Sequence, residues 1–333
     1  MKILIAGLGS IGRRHLRNLR LLGEQDLLLY RTRRSTLPDD ELQGLPFETD
    51  LAAALAHKPE AVIIANPTAL HLQIAIPAAE QGCHLLLEKP ISHSMAGIDL
   101  LQQAVQRGGG QVLVGFQFRF HPGLLRAQEL LASGAIGTPL SARAHWGEYL
   151  PGWHPWEDYR QSYSARNDLG GGVVLTLSHP LDYLRWLLGE VQALSAFTGR
   201  SGSLDLNVED LAEINLQFSS GVLGSLHLDY LQRPASHTLE IIGTRGTLRW
   251  DDADGAVRVW QSIEGADAQP GWQTHAAPDN FERNDLFVAE MRHFLQVARR
   301  QVASRCTLED GVQALRLALS VYQSQAQGCK VDL

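Results

Sequence analysis

Cysteine is scarce in this 333-residue chain. Cys83, Cys306 and Cys329 lie far apart and make no Cys-x-x-Cys pair. A disulfide framework or thiolate zinc site is therefore not expected, and the usage fits a reducing cytoplasm. Basic excess is also missing: 29 Lys and Arg stand against 36 Asp and Glu, a net charge of −7. That balance argues against a dedicated nucleic-acid binder. No apolar run reaches the about 18 residues of a membrane span. The opening Met1 to Ala6 is broken at once by Gly7, Gly9, Gly12, Arg13 and Arg14, unlike a signal peptide. Internal repeats, low-complexity tracts and Pro/Ser-rich linkers are absent. What remains is 44% hydrophobic and 20% charged, enough for a substantial core. At roughly 150 residues per domain, two domains are expected.

The short, wholly apolar run at 3–6 reads as a strand buried on both faces, and runs at 27–30, 61–65, 84–87 and 112–116 read as further strands. Helical stretches at 11–22, 51–56, 69–81 and 95–107 separate them, and this alternation predicts a doubly wound parallel sheet. Beyond His121 the texture changes. After a helical piece at 124–133, strand-like runs at 139–146, 211–218, 222–230, 238–242 and 257–260 are separated by tight-turn signals such as Gly243-Thr244-Arg245-Gly246. They predict an antiparallel sheet, and two helices, at 287–298 and 308–325, close the chain. The expected division is 1–120 as a Rossmann domain and 121–333 as an α+β domain, with the final helices packing back on the first.

Gly7-Leu8-Gly9-Ser10-Ile11-Gly12 lies between the first strand and first helix. Gly7 suits a tight turn, Gly9 the approach of a pyrophosphate, and Gly12 close packing of helix on sheet. The helix N-terminus offers its N–H groups to phosphate. A carboxylate for the adenosine ribose is expected near the end of the second strand. That place reads Tyr30-Arg31-Thr32-Arg33-Arg34-Ser35, and Arg31 with Thr32 suits a 2′-phosphate, which favours NADP over NAD.

Several segments, in order, resemble the glucose–fructose oxidoreductase, inositol dehydrogenase and rhizopine catabolism family (Gfo/Idh/MocA). They are Gly7 to His15, Ala65-Asn66-Pro67-Thr68 with His71, Glu88-Lys89-Pro90, and 115–120 including Gln117 and Arg119. Gly170-Gly171-Gly172 through His179 and Asp182, and Glu309-Asp310-Gly311, complete the set. The resemblance implies a Rossmann domain followed by an open, mainly antiparallel sheet that pairs subunits, so a homodimer or homotetramer. It implies hydride transfer between a nicotinamide and a secondary alcohol of a sugar or cyclitol. By the same resemblance, Gly9, Ser10 and Ile11 hold the pyrophosphate. Asn66, Pro67, Thr68, His71, Glu88 and Gln117 lie beside the cofactor, Lys89 is the catalytic lysine, and His179 is the acid/base.

The chemistry of those side chains agrees. Alcohol oxidation needs a proton acceptor, which histidine supplies near neutrality. An ammonium at the same oxygen stabilises developing alkoxide charge. One departure stands out: where many relatives carry an aspartate four residues before the histidine, this chain has Leu175. Asp182, three residues after His179, shares a helix face with it and either replaces that support or binds a substrate hydroxyl. Pro180 starts a helix near Ser178 or kinks a longer one. The polar-aromatic stretch 153–166 offers Trp156, Arg160, Tyr163 and Arg166 to a carbohydrate, and Arg119, Arg160 and Arg166 suit an anionic group. His145, His154 and His179 lack zinc spacing, so no metal is expected. The competing readings are a hydrolase or lyase that uses tightly bound NAD for transient oxidation, and a dinucleotide sensor without turnover.

Overall fold

The computed structural model describes residues 1–32, 37–261 and 271–333, and the chain divides into two compact units. The first comprises Met1–Gln117, Asp168–Gly170 and Arg283–Leu315. Its strands are β1 (Ile3–Ala6), β2 (Leu27–Tyr30), β3 (Phe47–Glu48), β4 (Ala61–Ile64), β5 (His84–Glu88) and β6 (Val112–Gly115). They pair in parallel in the order β3-β2-β1-β4-β5-β6. The chain winds outward from β1 in both directions, so the switch point lies where β1 and β4 diverge, over the strands' carboxyl ends. Helices α1 (Ser10–Leu21), α2 (Leu51–Ala56), α3 (His71–Glu80) and α4 (Ile98–Gly108) connect the strands. β1 and β4 are buried at every position, as their unbroken apolar runs require.

The second unit holds Phe118–Asn167, Gly171–Glu282 and Arg316–Leu333. It contains α5 (Pro122–Ala132), α6 (Val173–Thr176) and α7 (His179–Leu188). Its strands are β7 (Pro139–Tyr149), β8 (Val191–Gly199), β9 (Leu211–Phe218), β10 (Leu223–Asp229), β11 (Leu231–Gly243), β12 (Gly246–Asp251), β13 (Val257–Gln261), β14 (Trp272–His275) and β15 (Val331–Asp332). They form one sheet, ordered β14-β13-β12-β11-β7-β10-β9-β8-β15. Two more helices, α8 (Arg283–Ala298) and α9 (Leu308–Gln327), follow late in the chain. α8 falls in the first unit, and the unit boundary after Leu315 falls inside α9.

The second sheet is not wholly antiparallel. β10 runs parallel to β7 at its centre, because β8, β9 and β10 form a meander that returns beside β7, and β11 then pairs with the other edge of β7. The sequence reading also missed β3, β8, β12, β14 and β15. Two-residue strands leave no period to detect, and β8 carries a register shift between Val191 and Ala193 that interrupts alternation. At Pro180 the chain resolves the two expectations. α7 starts at His179 with Pro180 in its first turn, and Gly189 ends it in the left-handed region at φ +93°.

On the parallel pair, His227 stands opposite His145 and the two rings stack at 4.5 Å. Both His227 nitrogens face carboxylates, Nδ1 at 2.7 Å from Glu213 and Nε2 at 2.8 Å from Asp229. Only an imidazolium donates from both nitrogens. The Asp229 hydrogen bond, with Glu213, therefore outweighs burial and raises the pKa of His227 above 6.5. A folded pKa raised above the unfolded value adds stability below pH 6.5 that is lost as pH climbs through the folded value. The melting temperature is expected to fall as pH rises above 6.5, and less steeply in His227→Gln; equal slopes in the two proteins would show the pair contributes nothing.

Candidate functional site

The glycine loop separates structural from ligand-facing glycines. Gly7 has φ +95°, and a Cβ there would lie 2.4 Å from the Asn66 nitrogen. A Cβ on Gly12 would lie 1.9 Å from the Gly7 carbonyl oxygen. Both are demanded by the protein's own backbone. Gly9 is different: its φ is −74°, and a Cβ would meet nothing within 4 Å. The open space lies at the start of α1, where the N-cap is Gly9, which has no side chain with which to cap the helix. The N–H groups of that first turn are an anion cradle, and the loop fits the pyrophosphate of a dinucleotide. Ser10 and Ile11 begin the helix, as expected. Arg13, read earlier merely as a charge interrupting an apolar run, is buried. It donates to the Leu8 carbonyl at 3.0 Å and to Leu37 at 3.2 Å, tying the loop to the segment after β2.

At the end of β2, Arg31 donates to both Asp39 oxygens at 2.8 Å and lies over the Phe47 ring. This carboxylate comes from beyond the window in which a ribose-binding acid is sought, so the sequence pattern missed it. Thr32 is exposed, while Arg33, Arg34 and Ser35 lie outside the described residues.

After β4, Asn66 accepts a 2.8 Å hydrogen bond at its carbonyl from His71 Nε2. Burial lowers the pKa of His71, so its ring is neutral and Nε2 carries the proton. Pro67 precedes a single turn, Thr68–Leu70, and Thr68 is buried. At the end of β5, Glu88 accepts from His15 Nε2 at 2.7 Å and from the Lys89 backbone N–H at 3.3 Å. Burial would raise the Glu88 pKa, but the His15 hydrogen bond and the charges of His15 and Lys89 hold it below the usual carboxylate range. Lys89 therefore leaves the sheet beside an anchored anion. Gln117 is buried and opens the turn Gln117–Phe120. His15, so far just the last residue of a motif, is the group that keeps Glu88 ionised.

In the second unit, His179 is the first residue of α7 and is buried against Phe118 at 5.0 Å and Trp146 at 5.4 Å between ring centroids. Trp146 stacks at 3.8 Å on His237, whose nitrogens lie 3.0 Å from Glu148 and 3.0 Å from Asp252. Burial opposes charge on His237, but the Asp252 and Glu148 hydrogen bonds win and raise its pKa. His237 and Glu148 were both missed, since neither lies in a motif. Arg119 and Asp182 are found paired with each other in a bidentate contact of 2.7–3.2 Å, with side chains 3% and 2% exposed. Leu175 is buried in α6, one short helix before His179. His145 stacks on His227 and His154 tilts against Trp156, so those two histidines have partners different from those of His179.

The remaining expected substrate residues lie in an irregular segment of short turns. Trp156 is exposed, Arg160 forms an exposed bidentate pair with Asp158, Tyr163 opens the turn Tyr163–Ala165, and Arg166 ends it. Gly171 follows, where a Cβ would strike the Tyr163 carbonyl at 2.3 Å.

Comparison with known proteins agrees with this architecture. Residues 1–116 match the model of the oxidoreductase family with an NAD-binding Rossmann fold, and residues 124–249 match the Gfo/Idh/MocA C-terminal domain. The chain belongs to the Gfo/Idh/MocA family of oxidoreductases. It is 27% identical to the uncharacterized oxidoreductase YrbE of Bacillus subtilis over 99% of this chain and 95% of that one. It is 25% identical to the myo-inositol 2-dehydrogenase of Thermotoga maritima over 100% of this chain and 98% of the relative. A levoglucosan dehydrogenase solved with NADH and levoglucosan shares the fold at a TM-score of 0.89 and 20% identity, over 100% of this chain and 99% of that one. Among the described residues, no helix is long and apolar enough to cross a membrane.

Two sets of variants check the geometry. Gly12→Ala should lower unfolding free energy by about 1–3 kcal/mol, because backbone must shift, while Gly9→Ala stays within about 0.5 kcal/mol of wild type. Equal losses in thermal unfolding would show that Gly9 too is structural. Arg119→Met leaves a buried carboxylate behind and should cost about 3–5 kcal/mol, with much of it recovered in Arg119→Met/Asp182→Leu. A urea titration that found the single variant as stable as wild type would refute the pairing.

Proposed function

We propose that this protein transfers a hydride between NADP or NAD and a secondary hydroxyl or ketone of a sugar, cyclitol, sugar acid or sugar nucleotide. The observation that carries this reading is the presence, in a Gfo/Idh/MocA oxidoreductase, of both proton-handling groups in ordered settings. Lys89 follows the anchored Glu88, and His179 heads α7. The nicotinamide, when bound, supplies the hydride acceptor. In the oxidising direction His179 takes the hydroxyl proton, and the Lys89 ammonium stabilises the alkoxide as the carbonyl forms. Asp182, held by Arg119, fixes the first turn of α7 and so the direction of the imidazole. Trp156, Arg160, Tyr163 and Arg166 supply aromatic and polar contacts for hydroxyl-rich substrates.

For the cofactor, NADP over NAD is the reading favoured by Arg31. Its guanidinium stands at the carboxyl end of β2 and already binds an anion, donating from one nitrogen to both oxygens of Asp39, as it would donate to a 2′-phosphate in exchange. A homodimer or homotetramer through the second sheet completes the proposal.

A cofactor-linked absorbance screen across sugars, cyclitols, sugar acids and sugar nucleotides tests the activity. Lys89→Ala should lower kcat by about 100-fold or more, and His179→Ala by about 100- to 10,000-fold. Unchanged turnover in both, or cleavage of a substrate with no net cofactor reduction, would overturn the reading. Arg31→Ala should weaken NADPH binding about tenfold and spare NADH; tighter NADH binding in the wild type would reverse the cofactor preference.

A further inference from the structure

Glu290 stands midway along α8 with its side chain completely buried, and neither carboxyl oxygen has a hydrogen-bond partner among the described residues. A buried carboxyl without donors is costly in either form and most costly when charged. Its position is not arbitrary. One oxygen of Glu290, one of Glu88 and a nitrogen of His15 lie within 4.8 Å of one another. Two carboxylates so close, away from water, do not both ionise.

The partners decide which one keeps the proton. Glu88 accepts from His15 Nε2 and from the Lys89 backbone N–H, so its charge is stabilised. Glu290 has neither donor. Burial, then the Glu88 charge, push the Glu290 carboxyl well above the usual range, with Lys89 acting the other way. The groups facing it are His15 from α1 and Glu88 and Lys89 from the end of β5, while β6 (Val112–Gly115) brings no titratable side chain. Arg14 of α1 lies over Phe287, one turn earlier on α8. Space around Glu88 is also tight, since a Cβ on Gly115 would lie 3.0 Å from its Oε2.

We propose that Glu290 is the neutral acid of a His15–Glu88–Glu290 chain, donating its proton towards the Glu88 carboxylate, and is thereby a positioning residue for Lys89. His15 donates to Glu88, Glu290 lies within 4.8 Å of both, and Lys89 is the immediate neighbour of Glu88 in the chain. A neutral Glu290 also limits the buried negative charge beside the ammonium to one. The catalytic consequence rests on the assignment of Lys89 to the alkoxide; the protonation state does not.

Infrared difference spectroscopy of wild type against Glu290→Gln reads the proton directly. At neutral pH the wild type should show the deuterium-sensitive carbonyl stretch of a protonated carboxylic acid, lost in the variant. Absence of that band would overturn the proposal whether or not Lys89 is catalytic. In turnover, Glu290→Leu should lower kcat about tenfold or more, with cofactor KM within about threefold and an altered pH profile of kcat. Glu290→Gln, a neutral isostere of the protonated acid that keeps an N–H donor at the position, should recover to within about threefold of wild type. Wild-type kcat in Glu290→Leu, or a stoichiometric divalent cation at the site whose chelation abolishes turnover, would refute the role. If Glu290→Leu does not fold, the infrared comparison still decides.

Discussion

A carboxylate buried at the carboxyl end of a parallel strand has to be neutralised where it stands, and in this protein Glu88 is that carboxylate. Its 2.7 Å hydrogen bond to His15 links the last turn of β5 to α1, the helix that begins at the glycine loop. The same contact therefore ties the helix that starts at the glycine loop to the strand that precedes Lys89. Without it, the unit would hold an unpaired buried charge, which is among the most destabilising defects available. The Glu-Lys-Pro motif is accordingly a structural device in its own right: the acid anchors the backbone from which the Lys89 amine leaves the sheet.

The second unit solves a parallel problem with other means. His179 lies in a nest of aromatic and imidazole rings, Phe118, Trp146 and His237, and the helix it heads is secured by the Arg119–Asp182 pair. Leu175 offers no carboxylate before His179, and the acid nearest to it in the helix that follows, Asp182, is gripped by Arg119 in a bidentate contact. Buried ion pairs of this kind contribute little net stability but are costly to break singly, which makes them suited to holding a direction rather than a fold.

Parts of the architecture were legible because the physics is local. Wholly apolar tetrapeptides such as Ile3–Ala6 and Ala61–Ile64 have one good environment, the middle of a parallel sheet, and the structure places them there. Gly7 and Gly12 were legible as loop residues because strand-to-helix turns demand them. The second sheet was less so. The parallel pairing of β7 with β10 depends on where the meander of β8 to β10 returns, and no residue pattern in either strand records its neighbour's direction.

For the candidate site, the chain alone offered the side chains on which the proposed chemistry rests: the glycine loop, Lys89 after Glu88, and His179 with Asp182. These are short-range motifs, readable without their neighbours in space. Tertiary structure decided their surroundings. It set Arg31 on Asp39, Arg119 on Asp182, His237 under Trp146, and Glu290 within 4.8 Å of Glu88 and His15. Those partners stand from eight to more than two hundred residues apart, and most lie outside any motif. Their pairing follows from packing and the need to neutralise buried charge, which act between neighbours in space and leave no periodic trace along the chain.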